Sequence, residues 1–159
     1  RDKLVTGVQT CALPIFSDTE TIYELGADVF IPVADSGIIN EENYRRIRAR
    51  HIVCGANAPF ATMDIEEQLF DLGKIVVPDF IANAGTAALY NTLIKEDGPV
   101  TVAGLRHSIE DQIGHATEEA LAKSSREKIS PRTAAEIIAA EKINTYPSQY
   151  LTTISKRWH

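Results

Sequence analysis

Cysteine is scarce. Cys11 and Cys54 are the two in 159 residues, too few for a disulfide framework, so a reducing, cytoplasmic setting is expected. Long apolar runs are missing too. No stretch approaches the ~20 residues that would cross a bilayer, and no membrane partner is expected. Positive charge is in deficit, with 16 Lys and Arg against 22 Asp and Glu for a net charge of -6. Nucleic acid and anionic lipid both demand a basic footprint, so neither is expected as a main partner. Internal repeats and low-complexity segments are absent as well. The length suits one domain.

Residues 5–15 read VTGVQTCALPI. The run carries no charge, no helical or alternating period, and a proline inside its apolar block. It is too short and too polar to span a membrane, and the charged start (Arg1, Lys3) does not make it a secretory signal. It does back-translate without mismatch to a widely used sequencing-library adapter read in frame. Residues 1–15 are therefore set aside as an adapter-like artefact, expected to make few buried contacts. That leaves 14 basic against 21 acidic residues, a net charge of -7, and Cys54 as the single cysteine. It also implies a chain that began further upstream and lacks its N-terminal part.

From residue 16 onward, short apolar runs alternate with helical patterns. Ala27–Val33 (ADVFIPV), His51–Cys54 (HIVC) and Lys74–Pro78 (KIVVP) read as buried strands. Asn40–Arg50 reads as a helix, with Asn40 as N-cap, Glu41 and Glu42 in the first turn and arginines crowding its end. Thr62 caps a second helix to Leu72, with Ile65, Leu69 and Leu72 on one face and Gly73 as its stop. Strands and helices at this spacing mean parallel strands joined by crossovers. Runs without alternation mean that both sheet faces are covered. Asn83–Ile94 is a further helix and Glu96–Pro99 a turn. Leu105, Ile109, Ile113, Ala116 and Ala120 mark an amphipathic helix. Ser130 caps the last clear helix with Pro131 at its first position, and residues 144–159 form a tail without pattern. The expected fold class is α/β: a partial three-layer domain of parallel strands in chain order, followed by C-terminal helices.

Ligands of open parallel sheets sit beyond the carboxyl ends of the strands. Here those ends are the loops Pro32–Gly37, Gly55–Pro59 and Pro78–Gly85. Two of them set an asparagine among small residues: Gly55-Ala56-Asn57 and Ala82-Asn83-Ala84-Gly85. An asparagine offers a donor and an acceptor, which suits a carboxamide or a ribose hydroxyl, and small neighbours let a flat ring approach the backbone. Either loop alone is better read as a turn or a helix cap. The repetition at two adjacent strand ends favours a ligand.

These stretches, ADVFIPVADSGIINEEN, HIVCGANAP and IVVPDFIANAG, resemble in order and spacing the C-terminal nucleotide-binding domain of the Glu/Leu/Phe/Val amino-acid dehydrogenases. The resemblance runs from Thr19 to Ile143, so residues 16–143 are expected to form the C-terminal part of a Rossmann-like dinucleotide-binding domain. It implies reversible oxidative deamination of an L-amino acid to a 2-oxo acid and ammonia, with NAD or NADP as cofactor. It further implies that Ala34 lies against the adenosine side of the cofactor, Asn57 bonds the nicotinamide ribose and Asn83 the carboxamide. Ala87 and Tyr90 fall where family members contact the substrate side chain. Glutamate-specific members carry a small hydroxyl residue at the second position, and a tyrosine there puts glutamate in doubt. Family members continue ANAGG-V where this chain has Ala84-Gly85-Thr86-Ala87. No G-x-G-x-x-G turn is present, and no segment matches the catalytic lysines and aspartate of the family's preceding domain. The chain thus holds no expected catalytic residue, and this fragment is expected to be inactive alone but part of a homo-oligomeric enzyme when whole.

Other features have blander readings. Arg45, Arg46, Arg48, Arg50 and His51 could form a phosphate patch, but the solvated end of a helix suits an acidic chain better. Cys54 could be a nucleophile, yet a lone cysteine in an apolar strand is usually core. His107 and His115 are eight apart, too far for an i, i+4 metal pair, and no metal site is expected. Asp79 could polarise a ligand or cap the helix that follows it. Tyr90 suits the core as well as a pocket. Against the dehydrogenase reading stands a free-standing nucleotide-binding or subunit-interaction module without catalysis.

Overall fold

The computed structural model describes residues 21–95 and 100–145. The adapter-like run, the Glu96–Pro99 turn and the chain beyond Thr145 lie outside the described residues. Three short strands form a parallel sheet in chain order: β1 (Val29–Phe30), β2 (His51–Val53) and β3 (Ile75–Val77). Phe30 lies opposite Ile52, and Ile52 opposite Val76. The architecture is the α/β one read from the sequence.

Helix α1 (Met63–Asp71) starts after Thr62 and stops before Gly73, whose φ of 79° is open to glycine at little cost. Ile65 and Leu69 are buried beneath the sheet, but Leu72 is 54% exposed. It sits past the last helical turn, at the C-cap, where the 3.6-residue period no longer governs where its side chain goes. A short helix, α2 (Asp79–Ala82), ends on Asn83, and the helix expected over Asn83–Ile94 follows it as α3 (Gly85–Lys95). Helix α4 (Val102–Glu127) carries the amphipathic pattern, and α5 (Pro131–Thr145) begins as read from the sequence. Ser130 Oγ accepts the Thr133 N–H at 3.3 Å, which satisfies one of the orphan donors of the first turn.

Alternate residues of each strand face opposite layers. On one side Ile52, Cys54 and Val76 join Ile65, Leu69, Ile39, Tyr44 and Ile47 in the main core. On the other side Val77 packs with Ile81, Ala120 and Ala135 from α2, α4 and α5. Both faces of β3 are thereby engaged. Strand β1 departs from the expectation, because Val29, Ile31 and Val33 are 46%, 55% and 68% exposed. Among the described residues β1 is one of the two edge strands, and the helices that cover Val77 on the other edge strand do not extend across to it.

The helix expected over Asn40–Arg50 does not form; a single 3₁₀ turn, Tyr44–Arg46, takes its place. The asparagines are the cause. Asn40 Oδ1 accepts the Glu42 N–H and Asn43 Oδ1 the Asn40 N–H, both at 2.9 Å, while Asn43 Nδ2 donates to the Ile38 carbonyl at 2.8 Å. Such local bonds offer the backbone an alternative to a helix. The chain then runs extended, burying Ile47 and Ala49. The carbonyls of Ile47, Arg48 and Ala49 all accept from Lys74 Nζ, at 2.8, 3.2 and 2.9 Å.

Candidate functional site

Three loops leave the carboxyl edge of the sheet together. The loop after β1 is tied to the loop after β2 at both of its ends: Ala56 N–H donates to the Pro32 carbonyl at 2.8 Å, and Gly37 N–H to the Ala58 carbonyl at 2.9 Å. Ser36 Oγ adds a bond to the Asn57 carbonyl at 3.0 Å. Beyond them Ile39 and Phe60 form a further parallel bridge, with Ile39 N–H on the Pro59 carbonyl and Ala61 N–H on the Ile39 carbonyl. Residues 33–36 thus form a short bow pinned at both ends to the loop after β2.

Under that bow lies a polar-walled cleft of about 440 Å³, lined by Ala34, Ser36, Gly55, Ala56, Asn57 and Asn83 among others. Asn83 Nδ2 donates to Asn57 Oδ1 at 2.5 Å. The pair leaves Asn83 Oδ1 as an acceptor and Asn57 Nδ2 as a donor, the complement of a carboxamide or a hydroxyl. Gly55 keeps the wall thin: a Cβ there would stand 2.6 Å from Val33 Cγ1. A larger, mainly apolar groove of about 520 Å³ lies at the opposite edge of the sheet, around Lys74, Ile75 and Leu121. Its wall offers no paired side-chain amides, so the strand-end cleft is the better candidate for a polar ligand.

The family model described as Glutamate/Leucine/Phenylalanine/Valine dehydrogenase matches residues 2–149. The chain belongs to this family. It is 31% identical over 127 residues to a glutamate dehydrogenase of Thermotoga maritima, covering 78% of this chain and 30% of that protein. It is 35% identical over 68 residues to a phenylalanine dehydrogenase of Bacillus thermotolerans, covering 43% of this chain and 18% of that one. The chain therefore spans less than a third of these relatives. The fold is similar to the crystal structure of L-tryptophan dehydrogenase from Nostoc punctiforme, with a TM-score of 0.73 at 23% identity over 86% of this chain and 41% of the other.

Of the family positions carried over from sequence, Ala34, Asn57 and Asn83 line one cleft. Ala87 and Tyr90 do not. Ala87 lines a separate hollow with Phe80, Ala84 and Gln112, and Tyr90 is 61% exposed on α3 rather than in the core. The arginines do not share a helix end: Arg46 pairs with Glu24 at 2.8 Å and Arg45 Nε donates to Tyr44 Oη at 2.7 Å. His107 and His115 are exposed, each facing a carboxylate one turn along α4. Cys54 is buried in the main core, and burial, with Glu66 and Asp79 nearby, pushes its thiol far above the ordinary range.

Asp79 does not cap α2, whose N-cap position is Pro78. Its Oδ2 accepts the Ala58 N–H at 2.8 Å and its Oδ1 takes Arg132 Nη2 at 2.7 Å. Burial opposes ionisation of Asp79, but those donors win and hold its carboxyl below the usual value. Arg132 Nε also reaches Glu66 Oε2 at 2.5 Å. Glu66 is fully buried; desolvation raises its pKa despite Arg132, and its Oε1 has no hydrogen-bond partner among the described residues. No local pattern announces this cluster, because Arg132 lies 53 and 66 residues from its two partners.

Proposed function

We propose that this chain is the nicotinamide-binding part of an NAD(P)-dependent amino-acid dehydrogenase, which carries out reversible oxidative deamination when whole. The observation that carries the reading is the meeting of Asn57 and Asn83 in one cleft at the carboxyl edge of the parallel sheet. The residues present fit the cofactor's nicotinamide ribosyl end. Gly55, Ala56 and Ala34 leave room for a flat ring, Asn57 would hold the ribose and Asn83 the carboxamide, with Ala34 towards the adenosine side. When bound, the nicotinamide supplies the hydride acceptor for oxidation of the amino-acid carbon. What these residues do is orient it and hold its amide.

Family membership supports the reaction class, and the relatives' names include glutamate and phenylalanine dehydrogenases. The cofactor is NAD or NADP, one relative being named NADP(+)-dependent. A substrate entering beside α3 would meet Ala87 and Tyr90, and the bulk of Tyr90 favours a side chain other than that of glutamate. Residues 16–143 then form the C-terminal part of the dinucleotide-binding domain, in a cytoplasmic homo-oligomer when whole. One similar solved structure is titled a hetero-hexameric glutamate dehydrogenase.

The test is NAD(P) reduction by the whole protein that contains this chain, driven in turn by glutamate, leucine, valine and phenylalanine. Asn83→Ala should raise the cofactor KM or lower kcat, a loss of about 1–3 kcal/mol. Unchanged kinetics would refute the assignment. The 159-residue chain by itself should bind NADH without turnover.

A further inference from the structure

Ala58 adopts a left-handed backbone, φ 45°, which is unusual for a residue with a side chain. It stands between Asn57 and Pro59, next to the residue whose amide meets Asn83 in the cleft. Two bonds hold it. Its carbonyl accepts from Gly37 N–H at 2.9 Å, and its own N–H donates to Asp79 Oδ2 at 2.8 Å. Asp79 is not free to move, because its other oxygen is fixed at 2.7 Å by Arg132. Arg132 is itself pinned by the buried Glu66 and stacked 5.1 Å over the Phe80 ring.

We propose that Asp79, clamped by Arg132, is a positioning residue that holds Ala58 in its left-handed conformation and so aims Asn57 at Asn83 and the cleft. Arg132 lies on α5, which contributes no residue to the cleft wall. The clamp therefore makes the site's geometry depend on the docking of the last helix. What Asn57 then does rests on the cofactor reading above; where it sits does not.

The variants are Asp79→Ala, Asp79→Asn and Asp79→Ala with Ala58→Gly, all in the 159-residue chain. Without ligand, the side-chain amide resonances of Asn57 and Asn83 are read by ¹⁵N NMR. Asp79→Ala should shift both, and Asp79→Asn, which keeps the shape and so guards against misfolding, should shift them less. NADH binding, read by fluorescence, should weaken about tenfold in Asp79→Ala, the scale of one lost charge-assisted hydrogen bond. Adding Ala58→Gly should restore both resonances and most of the affinity, since glycine adopts the left-handed backbone without help. A general loss of packing at Asp79 would not be rescued that way. Unmoved asparagine resonances in both single variants, or no rescue by Ala58→Gly, would overturn the positioning role. Wild-type chain that fails to bind NADH while the resonances still respond would sink the cofactor reading and support the positioning role.

Discussion

Arg132→Met removes the guanidinium while keeping most of an apolar stem. The side chains of Arg132 and Glu66 are 13% and 1% exposed, so their bond at 2.5 Å is almost out of water. Glu66 Oε1 already lacks a partner among the described residues, and the substitution strips Oε2 as well. Leaving one member of a buried ion pair uncompensated costs about 3–5 kcal/mol, a large share of the ~5–15 kcal/mol that holds a domain together. Asp79 keeps its Ala58 N–H and adds less. The deficit should depend on pH, with a sign that follows from Glu66. Burial raises its folded-state pKa, and losing Arg132 raises it further. A folded state that binds the proton more tightly gains stability as pH falls and loses it as pH rises through that pKa. Asp79 works the other way in the wild type: its lowered pKa gives stability that is present above the ordinary carboxyl value and lost as pH falls through the folded one. Both effects narrow the gap in acid. Urea unfolding followed by circular dichroism at about pH 8 and about pH 5 should show the larger deficit at the higher pH. Adding Glu66→Gln should recover much of it, since no charge is then stranded. A deficit below about 1 kcal/mol, or one equal at the two pH values, would refute the reasoning.

Three further outcomes are expected. Lys74→Met leaves the Ile47, Arg48 and Ala49 carbonyls without their shared ammonium, and should cost about 1.5–3 kcal/mol in the same unfolding assay. Ser130→Ala removes the cap of α5 and the bond to Glu67 at 2.5 Å; a loss of about 1 kcal/mol is expected, with earlier fraying of α5 in hydrogen exchange. Gly55→Ala drives a methyl into Val33, so it should weaken NADH binding more than it lowers Tm, and equal affinity with unchanged stability would show that the wall yields.

What the sequence revealed was local. Each strand run was found where the apolar residues lie together, and Asn57 and Asn83 could be matched as a pair because both stand next to small residues at strand ends. The Asn40–Arg50 stretch misled because its charges follow the helix dipole, while Asn40 and Asn43 spend their amides on the backbone and undo the helix. The exposure of Val29, Ile31 and Val33 was hidden for a different reason. A run of apolar residues records what a strand could bury, not which neighbours reach it. Tyr90 likewise occupies a helical position that shows no partner in its own sequence. The Glu66, Asp79 and Arg132 cluster joins three segments that nothing short of the fold brings together.

The bow of residues 33–36 is fastened on both sides of the cleft, by Ala56 to Pro32 on one side and by Gly37 to Ala58 and the Ile39–Phe60 bridge on the other. A wall stitched at both ends cannot swing as a lid. A molecule arriving there meets a mouth of fixed width, and little ordering entropy is lost in shaping it. Its entry should then proceed at the pace of rigid docking, much the same from one wall variant to the next. Differences in affinity among those variants will be written in residence time, in how long the guest stays before it slips back out.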